Sequence, residues 1–377
     1  MKKVGLITFH ASHNMGSMLQ TYAMQTILKD KFKFNVEIID FSNKEQQRMY
    51  ALYNENNSIR NIIKNTITTA FYPMFKSRFN DFNNFIKDKF ILSSESYETL
   101  EELSGIEKNY DILVCGSDQI WNINCRDYDD AYYLPFAKNI KKVAYAPSLG
   151  GRNILTSTDN IKKYEEYLAD FYEISVREKN GQEWLGKLVK KDVEIVPDPT
   201  LLYDSKFWDT IVSEREIKGD YIFYYGTAYY PDTYKIIKKI SKELGMPVVT
   251  IDIKSWIYKG NYARGFKVSK HSTPSEFLSL IKNAKLILTN SFHGTIFSTI
   301  YKKDFWTLTF KETNPDDDRI ETLLNQLDMM DRLIYLEDVD KYDLSRKVSY
   351  EGYDKKAIQL KETGINYLER VLFDKNE

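Results

Sequence analysis

The start of the chain combines two apolar runs with one helical pattern, and this order restricts the fold strongly. Residues 4–8 and residues 36–41 each form a short apolar run typical of a buried strand. Between them, a polar loop leads into residues 18–28, where apolar side chains recur at helical spacing. A strand, a helix and a second strand in succession form a unit with parallel strands and a right-handed connection. The sequence therefore predicts an α/β protein with a parallel sheet.

The same alternation continues along most of the chain, in two sets. The predicted strands cover residues 111–115, 143–146, 173–177 and 193–196, and then residues 221–225, 248–251, 286–288 and 305–310. A Pro-rich segment at residues 197–204 separates the two sets and is typical of a domain boundary. We expect an N-terminal Rossmann-like domain at residues 1–204, a C-terminal Rossmann-like domain at 205–345, and a helix at 346–377 that braces both. If the strand ends of the two sheets face each other, the active site lies in the cleft between them.

Residues 44–95 interrupt this alternation. They are rich in Asn, Lys, Arg and Phe and carry helical patterns. One interpretation is a helical insertion that packs on the N-terminal domain and shapes one side of the cleft. The other is a basic amphipathic surface that contacts anionic lipid. The side chains that suggest the lipid contact are Arg60, Lys64, Phe71, Tyr72, Phe75, Lys76 and Arg78.

Charge and composition exclude several classes of protein. The chain has 53 basic and 54 acidic residues, a formal net charge of -1, which gives no reason to expect nucleic acid. Cys115 and Cys125 make neither a disulfide framework nor the spacing of a zinc site. No apolar run approaches the ~20 residues of a membrane helix, and the apolar start is too short for a signal peptide. We expect a cytoplasmic protein, with peripheral contact at the inner face of the membrane as an open alternative.

The turn that contains His293 is the most informative candidate site. The apolar run 286–288 ends at small polar residues, and helical spacing begins after Gly294. His293 should therefore lie at the carboxyl end of a strand and at the start of a helix, where free backbone N–H groups and the helix dipole favour an anion. A histidine there can donate and accept protons near neutral pH. The alternative is that His293 has only a structural role in the turn between the strand and the helix.

Three residues at strand ends are candidates in the first domain. Arg177 closes a predicted strand, and its guanidinium can hold a carboxylate or a phosphate with two parallel hydrogen bonds. A salt bridge at the protein surface would explain an arginine at this position equally well. Asp118 and Gln119 follow a Gly-Ser turn and suit either sugar hydroxyls or the capping of that turn.

The first loop and the last predicted strand supply the remaining candidates. The loop contains His10, His13, Asn14 and the pair Gly16-Ser17, where a substrate can approach the backbone closely. No third ligand joins the two histidines, so we expect no metal. In the second domain, Lys311 ends a strand and Arg319 begins a helix. Each side chain can reach an anion near Gly294, or it can be an ordinary charged side chain in solvent.

Several motifs in a fixed order resemble the polysaccharide pyruvyl transferase family over almost the whole chain. They are Gly5-Leu6-Ile7-Thr8, Asn14-Met15-Gly16-Ser17-Met18-Leu19-Gln20-Thr21-Tyr22-Ala23, Asp111-Ile112-Leu113-Val114-Cys115-Gly116-Ser117-Asp118-Gln119-Ile120-Trp121-Asn122, Ala144-Tyr145-Ala146-Pro147-Ser148-Leu149-Gly150, Ser175-Val176-Arg177-Glu178, Asp198-Pro199-Thr200-Leu201-Leu202 and Asn290-Ser291-Phe292-His293-Gly294-Thr295. The chain departs from the family in residues 44–95 and in Ser291-Phe292, where other branches carry Arg-Leu.

The resemblance implies a fold, a reaction and roles for residues. The fold would be like that of GT-B glycosyltransferases, with two Rossmann-like domains around a central cleft. The reaction would transfer pyruvate from phosphoenolpyruvate to a sugar of a bacterial surface polysaccharide or its undecaprenyl-diphosphate-linked precursor, and form a cyclic ketal. No cofactor is expected. His293 and Arg177 would be catalytic, and the donor would bind Arg177, Ser291, His293, Gly294, Thr295, Lys311 and Arg319. The acceptor would bind His10, Asn14, Gly16, Ser17, Asp118 and Gln119.

Two other functions stay open at this stage. One is glycosyl transfer on the same architecture with a nucleotide-sugar donor. The other is a catalytically inactive relative that only binds glycans. His293 can act in the pyruvyl transfer as a general acid/base or as a cationic ligand of phosphate, and the sequence does not separate these roles.

Overall fold

The computed structural model of the chain describes residues 1–226, 231–310 and 316–373. Its strands form two sheets in which every assigned pair is parallel. The first sheet contains β1 (Lys3–Ile7), β2 (Asn35–Phe41), β3 (Leu92–Tyr97), β4 (Ile112–Cys115), β5 (Lys141–Ala144), β6 (Glu173–Val176) and β7 (Val193–Ile195). The second contains β8 (Ile222–Tyr225), β9 (Val248–Thr250), β10 (Lys267–Val268), β11 (Leu286–Thr289), β12 (Phe305–Thr309) and β13 (Leu333–Tyr335). The predicted α/β class with parallel sheets is confirmed.

Helices connect the strands of each sheet. Those before the second sheet are α1 (Met15–Thr26), α2 (Lys44–Tyr50), α3 (Ile59–Ala70), α4 (Tyr72–Lys89), α5 (Ile154–Ser157), α6 (Ile161–Ala169), α7 (Lys179–Gly186) and α8 (Ser205–Trp208). Those that follow are α9 (Pro231–Leu244), α10 (Ile253–Tyr258), α11 (Pro274–Asn283), α12 (Phe292–Ile300), α13 (Arg319–Gln326) and α14 (Tyr353–Phe373).

The strand order of each sheet reverses direction once, next to its first strand. The first sheet has the order β3-β2-β1-β4-β5-β6-β7, and the second has the order β10-β9-β8-β11-β12-β13. In open parallel sheets, ligands bind beyond the carboxyl ends of the strands at such a reversal. The loops after β1 and β4 meet at the first reversal, and the turn after β11 lies at the second. Asp118 follows β4, and His293 follows β11.

Local sequence signals explain where the helices near these loops begin. The side chain of Asn14 accepts hydrogen bonds from the backbone N–H groups of Gly16 and Ser17 and so caps α1. Ser291 caps α12 by accepting a hydrogen bond from the N–H of Gly294. Such caps satisfy helix N–H groups that have no partner within the helix, and each stabilises a helix by ~1 kcal/mol.

Residues 44–95 contain α2, α3 and α4 and end in a strand that the sequence pattern does not predict. Strand β3 is at the edge of the first sheet and pairs with β2, with Asp40 opposite Ser96. The segment is therefore the connection between two strands of the sheet. Helix α4 also contacts the second half of the chain, because the ring of Phe75 lies 5.2 Å from that of Tyr258.

Two of the side chains that suggested a lipid contact are turned away from solvent by this packing. Phe75 is 3% exposed in a cluster with Ile253 and Ile257. The guanidinium of Arg78 lies 4.8 Å from the ring of Phe82 and donates a hydrogen bond to the carbonyl of His13. The alternative of a lipid-facing surface is therefore wrong for Phe75, which packs against α10, while the guanidinium of Arg78 is bound to the first loop.

The last helix links both halves of the chain. Near its start, Asp354 pairs with Lys302 at 2.7 Å. Near its end, the hydroxyl of Tyr367 donates a hydrogen bond to the carbonyl of Ala144 in β5 at 2.9 Å. Among the described residues, no helix is both long and apolar enough to cross a membrane.

Candidate active site

A cavity of about 360 Å³ lies where the two strand reversals meet. Its walls come from both halves of the chain, and eight of the predicted site residues line it: Asn14, Ser17, Asp118, Gln119, Arg177, Ser291, His293 and Arg319. Four others, His10, Gly16, Gly294 and Thr295, are not in its wall. Lys311 lies outside the described residues.

His293 is in the first turn of α12 and faces the cavity. Its residue is 7% exposed. Its Nε2 lies 3.4 Å from Oδ2 of Asp198 but makes no hydrogen bond with the part of the chain that the structure describes. The backbone N–H groups of Phe292 and His293 likewise have no partner among the described residues. The two helix N–H groups are thus available to an anion at the start of α12, whereas Nε2 is buried beside the carboxylate of Asp198.

Arg177 lies at the centre of a buried ion cluster. Its Nη1 donates to Oδ2 of Asp198 at 2.8 Å, and its Nη2 lies 3.4 Å from Oδ1 of Asp118. The guanidinium also stacks on the ring of Phe292, 4.5 Å from its centroid. The side chain is 1% exposed. Arg177 therefore joins two carboxylates of its own domain to the start of α12.

Asp118 is held by groups on several sides. Its carboxylate accepts hydrogen bonds from the hydroxyl of Ser17 and from the backbone N–H of Gln119. Burial would raise the pKa of this carboxyl, but the charges of Arg177 and His293 outweigh burial and hold the pKa below its ordinary value. The residue adopts a left-handed φ of 74°. Such a conformation is uncommon outside glycine and persists where surrounding contacts enforce it.

Asp198 is a central residue that the sequence pattern did not select. Its Oδ1 accepts hydrogen bonds from the N–H and hydroxyl of Thr200, and its Oδ2 accepts from Ser117 and Arg177. Burial opposes ionisation, yet the nearby His293 and Arg177 lower the pKa of Asp198 far below its ordinary value. The sequence contains a signal, since Asp198 belongs to one of the family motifs, but the Pro-rich pattern around it predicts only a domain boundary.

Asp127 is a second carboxylate of the cavity that the sequence pattern did not select. It lines the cavity and is 6% exposed. No ion pair between described residues involves it. Burial, and then the charge of Asp118, raise its pKa above the ordinary value. No sequence signal marks it, because it lies in an irregular loop after β4.

Glu178 lies behind Arg177 and is fully buried. Its Oε1 accepts a hydrogen bond from the N–H of Leu149 at 2.7 Å, and its Oε2 lies 3.8 Å from Nε of Arg177 without forming a hydrogen bond. Burial raises its pKa to about 7, against the opposing charges of Arg177 and Arg319. The carboxyl therefore changes its charge near neutral pH.

Arg319 brings the second domain to this side of the cavity. Its Nε donates to Oδ1 of Asp317 at 2.6 Å, and a second nitrogen bonds the other oxygen of the same carboxylate. The carbonyl of Asp316 accepts a hydrogen bond from the side chain of Asn180 in α7 at 2.8 Å. The segment before α13 thus ties the two halves together beside the cavity.

The two histidines of the first loop are each bound elsewhere. Nε2 of His10 lies 2.9 Å from Oδ1 of Asp40. The ring of His13 stacks on Phe82 at 4.8 Å, and burial together with the charge of Arg78 lowers its pKa to about 3. Among the described residues, no group of three His, Cys, Asp or Glu side chains could hold a metal ion.

Two of the predicted donor ligands are part of the framework of the turn. The hydroxyl of Thr295 interacts with the carbonyl of Ser291 and with the hydroxyl of Thr307, and its residue is fully buried. A Cβ on Gly294 would lie 2.2 Å from Oγ1 of Thr289. Glycine at this position lets α12 pack directly against the end of β11.

These features define a GT-B-like protein with two Rossmann-like halves and a site in the cleft between them. The fold is shared with solved structures of low sequence identity. UDP-GlcNAc 2-epimerase from Methanocaldococcus jannaschii has a TM-score of 0.51 and 13% identity, with 95% of this chain and 99% of that chain covered. The S. aureus MnaA-UDP co-structure has a TM-score of 0.55 and 10% identity, with 100% and 98% covered. At these identities the likeness shows the fold alone.

The family follows from a comparison with family models. The model of polysaccharide pyruvyl transferases matches residues 14–311. The chain therefore belongs to the polysaccharide pyruvyl transferase family and is a transferase. A search of curated proteins found no match.

Proposed function

We propose that this protein transfers pyruvate from phosphoenolpyruvate to a sugar and forms a cyclic pyruvate ketal across two hydroxyls of that sugar. The acceptor is a bacterial surface polysaccharide or its undecaprenyl-diphosphate-linked precursor, and the reaction takes place in the cytoplasm, at the inner face of the membrane for a lipid-linked acceptor. The observation that carries the proposal is His293, which lines the cleft at the start of α12 with its Nε2 3.4 Å from the carboxylate of Asp198. Membership of the family supports it.

The donor suits the second-domain wall of the cavity. Phosphoenolpyruvate carries a carboxylate and a phosphate, and the N–H groups at the start of α12 favour such anions. Arg177 is already bound to two carboxylates, so its role in this proposal is to balance their charge beneath the donor. Without it, Asp118 and Asp198 would repel an anionic substrate. Lys311 remains a proposed donor ligand.

The chemistry needs one acid and one base. His293 protonates the methylene carbon of phosphoenolpyruvate while a sugar hydroxyl adds to the central carbon. The carbon–oxygen bond to phosphate then breaks and phosphate leaves with its electron pair. A second hydroxyl adds to the central carbon and closes the ketal, and its proton passes to the departing phosphate. We assign the removal of the hydroxyl proton to Asp127, since Asp118 is bound to Ser17 and Arg177. The raised pKa of Asp127 suits a base better than that of an ordinary aspartate.

The first experiment is mass spectrometry of lipid-linked saccharides after incubation with phosphoenolpyruvate. The expected product gains the mass of pyruvic acid less one water, and wild-type protein but not His293→Ala should form it. In parallel, thermal stability is measured with phosphoenolpyruvate and with UDP- and GDP-sugars. Stabilisation by a nucleotide sugar alone, with glycosyl transfer to the same acceptors, would replace this proposal by the alternative of a glycosyltransferase.

A further inference from the structure

Helix α3 presents apolar side chains to solvent on one face. Ile59 is 77% exposed, Ile63 is 55% exposed and Ile62 is 48% exposed. Phe71 and Tyr72, which follow the helix directly, are 38% and 43% exposed. We call Ile59, Ile62 and Ile63, which share one side of the helix by their spacing, the α3 face. Large apolar side chains clustered in this way mark an interaction surface, whereas single exposed ones need no explanation.

The charged residues of the segment that carries the α3 face are all basic. From residue 59 to residue 80 the chain contains no Asp and no Glu. Arg60 and Lys64 belong to α3, and Lys76 follows in α4. None of these three forms an ion pair with the described residues. An apolar face bordered by basic side chains is the pattern of a helix that lies in the headgroup region of an anionic membrane.

The opposite side of α3 is fixed to the protein. Its Thr68 is fully buried, and the hydroxyl of Thr68 lies 2.6 Å from that of Tyr258 in α10. The preceding loop is tied to the helix, because the side chain of Asn65 accepts a hydrogen bond from the N–H of Asn54 and donates one to its carbonyl. The helix is therefore held in place with its apolar face outward, and this face has no partner within the described chain.

The α3 face also lies close in sequence to the cavity wall. Met49 and Tyr50, at the end of α2, line the cavity. Residues 51–58 alone separate them from α3, and eight residues span at most roughly 30 Å even when fully extended. The ion pair of Arg48 with Glu55, at 2.9 Å, shortens this connection. A surface bound at α3 would thus lie no more than roughly 30 Å from one wall of the cleft.

We propose that the α3 face binds the surface of an anionic lipid bilayer. The apolar side chains enter the headgroup region, and Arg60, Lys64 and Lys76 interact with lipid phosphates. A second copy of the chain is a poorer partner, because a two-fold interface would bring two acid-free basic segments together. The binding itself does not depend on the donor. Its use, to bring a lipid-linked acceptor to the cleft, rests on the proposed function.

Vesicle flotation tests the proposal without any substrate. The full chain is mixed with vesicles of phosphatidylcholine alone or of phosphatidylcholine with one quarter phosphatidylglycerol. Wild-type protein should float with the anionic vesicles, and high salt should weaken the binding. Two triple variants each remove one part of the surface. The first removes the apolar side chains and combines Ile59→Ser, Ile62→Ser and Ile63→Ser. The second removes the positive charges and combines Arg60→Gln, Lys64→Gln and Lys76→Gln. Each should reduce the bound fraction at least about tenfold, since both contributions are needed for stable binding.

Matched controls change residues of the same types elsewhere on the surface. The control for the apolar variant combines Ile91→Ser, Leu244→Ser and Ile358→Ser. The control for the charge variant combines Lys355→Gln, Lys356→Gln and Lys361→Gln. All six positions are exposed. These variants should bind vesicles like wild type. Lack of wild-type flotation, or flotation unchanged in both α3 variants, would overturn the proposal. So would a wild-type dimer that the triple serine variant converts to monomer, because α3 would then be an interface between copies. The turnover of a soluble acceptor analogue is measured in parallel and should be unchanged in the α3 variants. Loss of vesicle binding can then be distinguished from failure of the proposed reaction.

Discussion

The imidazole of His293 lies directly on the backbone of Gly16, across the boundary between the two halves of the chain. A Cβ added to Gly16 would lie 2.0 Å from Nδ1 of His293. Non-bonded heavy atoms settle at about 3.5–4.0 Å, so no larger residue fits while the ring keeps its place. Gly16, which was expected to contact the acceptor, is thus the support of the proposed acid.

Gly16→Ala should therefore displace His293 without unfolding the protein. We expect kcat to fall by about 10²-fold, since a proton donor loses most of its effect when it leaves its position. Overpacking of this kind costs about 1–3 kcal/mol in the free energy of unfolding. Gly186→Ala is the matched control, because nothing lies within 4 Å of a Cβ there. Equal kcat in the two variants would show that the contact has no functional role.

His293→Ala should keep the fold and lose most of the turnover. General acid-base groups typically contribute ~10²- to 10⁴-fold to the rate. His271→Ala serves as the control, since the side chain of His271 is 43% exposed and forms ion pairs with Asp81 and Glu216 at the surface. Steady-state kinetics with phosphoenolpyruvate and an acceptor give the answer. A folded His293→Ala protein with wild-type kcat would rule out this residue as the acid.

Arg177→Lys should raise KM for phosphoenolpyruvate more than KM for the acceptor. Lysine keeps the charge but cannot bridge Asp118 and Asp198 as the guanidinium does. The carboxylate left without a partner then repels the anionic donor, whereas a neutral sugar hydroxyl is less affected. Arg126→Lys, at an exposed pair with Glu45, is the control. The reverse pattern, with only the acceptor KM raised, would place Arg177 on the acceptor side.

Asp127→Asn should abolish the acid limb of the pH profile of kcat. The deprotonated carboxylate is the proposed base, so activity should rise with pH through its pKa, which burial and the charge of Asp118 hold above the ordinary value. Asparagine cannot take the proton, and we expect kcat to fall by ~10²-fold or more. Asp127→Glu should restore part of the activity. An unchanged acid limb in Asp127→Asn would assign this role to another group.

Glu178 should make the protein less stable as the pH rises from about 4.5 to about 7. Burial raises its pKa to about 7 from an ordinary value of 4.5, so in this window the folded protein holds a proton that the unfolded chain has released. Stability is then highest below the unfolded pKa and falls as pH rises, by at most ~1.4 kcal/mol per pH unit. Glu178→Gln should remove this slope. Urea unfolding between pH 5 and 7.5 measures it, with the exposed Glu183→Gln as the control.

Strand and helix patterns predicted much of the architecture. Arg319, predicted to begin a helix, is the first residue of α13, and the strand predicted at 286–288 is β11 extended by one residue. The helix has apolar side chains at helical spacing, and the strand is a continuous apolar run after a polar segment. The sequence pattern does not predict β3, β10 and β13. The side chains of β3 and β10 are only partly buried or exposed, and β10 and β13 have only two and three residues, too few for a clear pattern.

The sequence by itself determined which residues stand at strand ends and helix starts. His293, Asp118 and Arg177 follow buried strands, and the carboxyl ends of parallel strands share one edge of a sheet, so their presence near one cleft was predictable. What only the tertiary structure decided is which of them touch. The contacts of His293 with Gly16 and Asp198 join segments that are far apart in the chain. Local periodicity describes one element and its neighbours, whereas these contacts depend on how two separately formed sheets pack against each other.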